Sequence, residues 1–372
     1  MSAGRDDPLR FIDLRPGPDA AAVRDAIEGV LRRGWFVLGP ELEAFESEFA
    51  AASRGRHAVG TGNGTDAIAL ALRAAGVKPG DEVIVPAMTA AFTGLAVLAA
   101  GATPVIADVD RDTLTLDPAA CEAAVTSRTT AVVPVHLYGQ AADMTAIVAV
   151  AARHGLTIVE DCCQAHLATA GGAPVGTLGA AGAFSFYPTK NLGALGDGGA
   201  VVTNDGSLAD RVRQLRNGGQ THRYVHTLAG VNSRLDELQA AVLRARLPGL
   251  AAATQARRVL AAEYRAHLPP AAAPIPERDP GHVYHLFPIR SARRDALQAA
   301  LAAAGVETLI HYPIPLSRQP AFAHLGVRDR CVAADDAAGS LLSLPLHTRL
   351  RAGDVRRVAA AITAFEEGQA TA

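Results

Sequence analysis

Lysine is almost missing from this chain. Of its 35 basic residues only Lys78 and Lys190 are lysines, and the rest are arginine. Arginine serves salt bridges and phosphates, but it keeps its proton in a protein and cannot act as an amine nucleophile. Imine chemistry therefore has two candidate positions. Lys78 sits in Val77-Lys78-Pro79-Gly80-Asp81, a turn signal, and reads as a solvated turn residue. Lys190 lies where the apolar run Phe184-Ser185-Phe186-Tyr187 passes through Pro188-Thr189-Lys190-Asn191-Leu192-Gly193 towards Asp197-Gly198-Gly199. An amine set between apolar chain and a glycine-rich loop is placed for reactivity.

Cysteine is scarce as well. Cys121, Cys162, Cys163 and Cys331 do not make a disulfide framework in 372 residues, and the adjacent pair reads as two buried free thiols. No apolar stretch reaches the length of a membrane span, and the polar start Ser2-Ala3-Gly4-Arg5-Asp6-Asp7 is unlike a secretory leader. A net charge of −2 and the lack of any basic run speak against nucleic acid. These absences lead to the expectation of a soluble, cytoplasmic protein.

What is present is an alternation. Amphipathic patterns at 19–33 and 41–52 precede a short strand at 57–59. Helical patterns follow at 64–75, 93–100, 118–125 and 144–154, interleaved with strands at 82–86, 103–108, 130–136 and 156–161. Such interleaving predicts right-handed βαβ units and an α/β fold around a mostly parallel central sheet. Further strands are expected at 183–187 and 199–203, and the helical pattern from Leu235 is broken at Leu247-Pro248-Gly249. The Pro-rich stretch 269–280 reads as a linker or loop. A strand at 282–290, a helix at 292–304, a strand at 307–311 and a terminal helix at 352–367 form a smaller C-terminal α+β lobe. The expected division is a large domain with N-terminal helices at 1–250 and a small domain at 251–372.

Three groups of residues carry chemistry. The strand at 156–161 ends in Glu160-Asp161, followed by Cys162-Cys163-Gln164-Ala165-His166. Open α/β sheets bind ligands beyond the carboxyl ends of their strands, which is where Asp161 falls. By itself it equally fits a cap on the next turn; beside an imine lysine it could hold a pyridinium nitrogen protonated. The stretch Gly60-Thr61-Gly62-Asn63-Gly64-Thr65-Asp66 follows a strand and opens a helix, whose free first-turn amides suit a phosphate monoester. As a dinucleotide fingerprint it lacks the third glycine. Ser185 can add a hydroxyl. The pairs His222/His226 and His282/His285 have no matching cysteine or carboxylate set, so no metal is expected.

Together with Asn232-Ser233-Arg234-Leu235-Asp236-Glu237, His136-Leu137-Tyr138-Gly139-Gln140 and His311-Tyr312-Pro313, these motifs resemble the DegT/DnrJ/EryC1/StrS group of nucleotide-sugar aminotransferases, from about Leu38 to Leu346. The resemblance implies fold type I and pyridoxal 5'-phosphate. It implies that Lys190 carries the cofactor as a Schiff base and shuttles the proton, that Asp161 pairs with the ring nitrogen, and that Gln164 contacts the ring hydroxyl. Gly64, Thr65 and Ser185 would hold the phosphate, with Asn232 reaching it from the other subunit of a homodimer. His311 and Tyr312 would face the sugar, and His166 resembles a position near the cofactor.

The Pro86-Ala87-Met88-Thr89 corner departs from the family pattern. Ala90-Ala91 follows where an aromatic residue usually stacks on the cofactor, so either Phe92 takes that place or something smaller does. The family's dehydratases replace the lysine by histidine; Lys190 speaks for transamination. Tyr187-Pro188-Thr189-Lys190-Asn191 with Gly196-Asp197-Gly198-Gly199 resembles the subgroup acting at C3 of a nucleotide-linked, dTDP-type keto-sugar, with glutamate as donor. The Arg216–Arg223 stretch offers arginine for a diphosphate. The alternatives are a C4 aminotransferase and a catalytically silent regulatory protein on the same fold. A nucleotide-dependent oxidoreductase would need a catalytic dyad that the sequence does not supply.

Overall fold

The computed structural model describes residues 8–15, 17–325 and 331–368. Its centre is a seven-stranded sheet in the spatial order His57–Thr61, Gly199–Thr203, Ala181–Ser185, Thr157–Asp161, Thr129–Val132, Glu82–Pro86, Thr103–Ala107. All neighbours are parallel except Gly199–Thr203, which runs antiparallel to both of its own. Strands such as Glu82–Pro86 and Ala181–Ser185 are buried along their whole length, as a sheet covered on both faces requires. Helices Gly64–Ala74, Ala91–Ala99 and Gly206–Arg216 pack on one face. Pro40–Ala52, Glu237–Arg246 and Met144–His154 cover the other.

This topology collects chemistry at one edge. Thr61, Pro86, Asp161 and Ser185 all end their strands there, and antiparallel Gly199–Thr203 begins there, because Gly199 pairs with both Thr61 and Ser185. A second lobe folds around a three-stranded antiparallel sheet, Ala273–Pro274, Phe287–Arg290 and Leu341–Leu344. Leu260, Tyr264, Leu297, Val355 and Ile362 pack on it from helices Leu250–His267, Arg294–Ala303 and Ala352–Glu367. The N-terminal segment joins this lobe, with Leu9 bridging to Val306 and the His347 ring meeting the Arg10 carbonyl at 3.2 Å.

Several expected elements come out shorter. The strand expected at 130–136 ends at Val132, two residues before Pro134, which has no ladder donor. The one expected at 282–290 shrinks to Phe287–Arg290, since Tyr284 adopts φ 48°. That at 307–311 is reduced to a bridge between Leu309 and Ser343. Its place in the sheet is taken by Leu341–Leu344, and helix Val332–Ser340 before it was not anticipated either. The start 2–7 lies outside the described residues. Among the described residues no helix is long and apolar enough to cross a membrane.

Candidate active site

Strand alternation sends neighbouring side chains to opposite faces, and at Glu160-Asp161 that separates two roles. Glu160, fully buried, accepts the amides of Gly176 (2.7 Å), Leu178 (2.8 Å) and Gly179 (2.8 Å), and pairs with His136 Nε2 at 3.0 Å. Because His136 Nδ1 accepts the Ala142 amide, its proton sits on Nε2 and the imidazole donates to Glu160. With Cys162 these residues form a metal-sized cluster, yet the carboxylate and the imidazole already have hydrogen-bond partners and Cys162 is held protonated by burial. The cluster is structural.

Asp161 faces the other way, into a cavity of about 860 Å³ at the sheet's carboxyl edge. That is an ordinary size for a small-molecule site. Its Oδ1 accepts the Cys163 amide (3.1 Å) and its Oδ2 the Thr93 hydroxyl (2.9 Å). Gln164, one turn on, accepts the Tyr138 amide at Oε1 (2.7 Å) and donates from Nε2 to the Tyr312 hydroxyl (2.9 Å). Its amide is thereby oriented with the donor end towards Tyr312.

Lys190 enters on the loop after Ala181–Ser185, where its amide closes a turn on Tyr187 O (2.8 Å) and Phe186 N bonds Gly198 O (2.7 Å). Its side chain lines the cavity. Burial lowers the amine's pKa below the ordinary lysine value, partly opposed by the neighbouring Cys163 and Asp161. A proton is thus removed more easily than from a solvated lysine.

The glycine-rich segment forms a cradle beside them. Asn63 caps helix Gly64–Ala74 by accepting the Asp66 amide at 2.9 Å; the first two amides of a helix have no partner within it. A Cβ on Gly64 would lie 2.7 Å from Ser185 Cβ and 2.8 Å from Cys163 Sγ, so only glycine lets the chain approach this closely. Asp66 puts a carboxylate nearby, but Ser233 (2.6 Å) and Asn63 (3.1 Å) hold its Oδ2.

The small lobe supplies the opposite wall. His311 lines the cavity, bonds Ser343 Oγ through Nδ1 at 3.0 Å and stacks on Phe11 at 5.6 Å. Burial and the charge of Lys190 bring its pKa down to about 4, leaving a neutral imidazole at physiological pH. The Tyr138 hydroxyl donates to the His311 carbonyl. Phe11, Ile12 and Leu309 make this side largely apolar, and Phe92 and Leu95 on helix Ala91–Ala99 extend the apolar lining from the large sheet's side.

One cavity therefore brings together Lys190, Asp161, Gln164, Ser185, Gly64, Thr65, His311 and Tyr312. Asn232 is not among its lining residues: it is exposed, its backbone bridged to Asn217. His166 does not line the cavity either: its ring is fully buried among Phe49, Phe184 and Phe186, close enough to Lys190 for the amine's charge to add to burial in lowering its pKa to about 3. Arg216 is spent within the fold on Glu46 and the Gly60 carbonyl, which removes it as a diphosphate ligand. Ala90 and Phe92 both line the wall, Phe92 with 63% of its surface exposed. Thr89, Thr93, His285 and Phe11 were not foreseen as lining residues; of these only His285 belonged to a noted pair, and His282 instead stacks on Tyr284 at 3.9 Å.

These residues fit pyridoxal 5'-phosphate: an amine of lowered basicity, a carboxylate held by two donors, and a cradle closed to any Cβ beside a serine hydroxyl. A cavity so equipped at the carboxyl edge of this sheet defines a pyridoxal-phosphate-dependent aminotransferase of fold type I. A model of the DegT/DnrJ/EryC1/StrS aminotransferase family matches residues 19–363, and the chain belongs to that family. The dTDP-3-amino-3,4,6-trideoxy-alpha-D-glucose transaminase of Streptomyces venezuelae is 48% identical over 374 residues, covering 99% of each chain. A Geobacillus stearothermophilus protein named pleiotropic regulatory protein is 46% identical over 91% of this chain and 93% of its own. The crystal structure of S. venezuelae DesV in complex with ketimine intermediate matches with a TM-score of 0.93 at 47% identity, over 97% of this chain and 99% of that one.

Proposed function

We propose that this protein transfers an amino group, with L-glutamate as donor, to C3 of a nucleotide-linked, dTDP-type keto-deoxysugar in amino-sugar biosynthesis, working as a cytoplasmic homodimer. The observation that carries this reading is the convergence of Lys190, Asp161 and the Gly64 cradle on one cavity, in a chain 48% identical to a transaminase named for a 3-amino dTDP-sugar.

When bound, the cofactor supplies an electron sink. The chain's residues do the rest. Lys190 would hold it through Nζ and, once released, would carry a proton on Nζ to or from the reacting substrate carbon. Asp161 holds a proton on the ring nitrogen, and Gln164 contacts the ring hydroxyl. Gly64, Thr65 and Ser185 grip the phosphate, and Asn232, exposed beside the cradle, reaches the partner's phosphate. His311 and Tyr312 orient the sugar. The wall of Phe11, Ile12, Phe92, Leu95 and Leu309 suits a sugar stripped of hydroxyls, because an unpaired hydroxyl buried there would be costly. The nucleotide contributes remote binding energy for orienting the ring.

Regiochemistry is tested in reverse, with cofactor-loaded protein and 3-amino or 4-amino nucleotide sugars side by side. Bleaching of the visible band by the 3-amino compound alone is expected; turnover of the 4-amino compound alone would move the reaction to C4. The relative named as a regulatory protein favours a second reading, a silent cofactor-binding regulator. Its expected result is no turnover with either sugar despite bound cofactor.

A further inference from the structure

Behind Asp161 lies a chain of two threonine hydroxyls that the transamination machinery described above does not use. Thr89 Oγ1 and Thr93 Oγ1 are 2.8 Å apart, and Thr93 Oγ1 is 2.9 Å from Asp161 Oδ2. An ionised carboxylate can only accept, so Thr93 donates to Asp161. A hydroxyl has one proton, so the Thr89–Thr93 bond then has a single direction: Thr89 donates to Thr93. Both bonds point at the carboxylate.

This is not how a helical threonine ordinarily spends its hydroxyl. Thr93 is the third residue of helix Ala91–Ala99, and such a residue can return its proton to a carbonyl one turn back. Here the amide of Thr93 takes the Ala90 carbonyl at 3.1 Å, and the hydroxyl goes to a residue 68 positions away. Thr89, Thr93 and Asp161 are 3%, 1% and 5% exposed, so bulk water cannot replace a lost bond. Hydrogen bonds aligned head to tail in a dry site polarise one another.

We propose that Thr93, backed by Thr89, is a positioning residue that holds and aims the Asp161 carboxylate, and so keeps the cofactor's ring nitrogen protonated. The inference rests on the reading that Asp161 faces that nitrogen. Hydrogen bonds to a carboxylate favour its charged form, and the charged form is what retains a proton on a neighbouring pyridine. The ionisable groups facing Asp161 do not compete for this task. Burial raises the Cys163 thiol and the Tyr312 phenol, so both stay neutral, and it lowers the Lys190 amine. A donor on Oδ2 opposite the Cys163 amide on Oδ1 also fixes the plane of the carboxylate.

The test uses holoenzyme loaded with cofactor carrying ¹⁵N at the ring nitrogen, whose NMR shift reports protonation directly. Thr93→Val keeps the branched shape and removes the donor. It should lower the pH midpoint of the nitrogen signal by about one unit or more, the scale of a lost charge-assisted bond. Turnover, kcat, should fall about tenfold, with KM little changed. Thr93→Ser should restore both, and Thr89→Val should move the midpoint the same way by less. Should Thr93→Val fail to load cofactor, Thr89→Val decides: a lowered midpoint supports the inference and an unmoved one overturns it. A Thr93→Val midpoint equal to wild type, while Asp161→Asn shifts it, overturns the role of Thr93 alone. If Asp161→Asn leaves the signal unmoved, the assignment of Asp161 falls as well.

Discussion

An amine that must act as a nucleophile has to lose its proton without harsh conditions, and burial gives Lys190 that property. The same desolvation acts on histidines with a different consequence. His166 and His282 are brought down to about 3 and His285 well below its usual value, all chiefly by burial. Each is neutral in the folded chain and takes a proton near pH 6.5 when unfolded. Their contribution is therefore complete above pH 6.5 and is lost as pH falls from there towards the folded values. Each group costs about 1.4 kcal/mol per pH unit within that window. Denaturant titrations should show stability falling from pH 6.5 to 4.5, and unfolding near pH 5 should take up no fewer than about four protons, because His311, with its folded pKa of about 4, adds one to these three. Unfolding at that pH without proton uptake would contradict the neutral, buried assignment.

The carboxyl end of strand Thr157–Asp161 shows what an element contributes. Its alternation lets Asp161 serve the cavity while Glu160 pins the turn at 176–179 through three amides. Glu160→Gln would turn an amide donor towards those donors or towards the His136 proton. A loss of about 3 kcal/mol or more is expected in urea unfolding, with chelators leaving wild-type stability unchanged. A variant as stable as wild type would show that the cluster is not structural. This strand was readable in advance because buried parallel strands are short apolar runs, and the carboxylates and the glycine-rich turn fall where such strands end. The wall of the cavity was not readable. Phe11, Thr93, His285 and Leu309 come from segments far apart in the chain, and no local pattern marks them as neighbours. His166 stands in a recognisable motif, but nothing in that motif shows that its ring packs against Phe184 and Phe186. Leu341–Leu344 carries no alternation, and its partner Phe287–Arg290 lies some fifty residues earlier.

At the scale of the molecule, the large sheet supplies the amine, the carboxylate and the cradle, and the small lobe with the N-terminal segment supplies the facing wall. Asn232 stands outside this arrangement within one chain, which is what a residue serving the neighbouring subunit requires. Mixing Lys190→Ala with Asn232→Ala chains, each inactive alone, should restore up to about a quarter of the wild-type activity, from one sound site in each mixed dimer. Mixed dimers without activity would remove Asn232 from the shared site. The central claim, that Lys190 is the residue carrying the cofactor, is tested most directly by borohydride reduction of the holoenzyme followed by peptide mapping. Lys190→Arg keeps the charge but offers no amine for the bond and should show no visible band. The account predicts a pyridoxyl adduct on the Lys190 peptide; an adduct on Lys78, or on neither lysine, would contradict it.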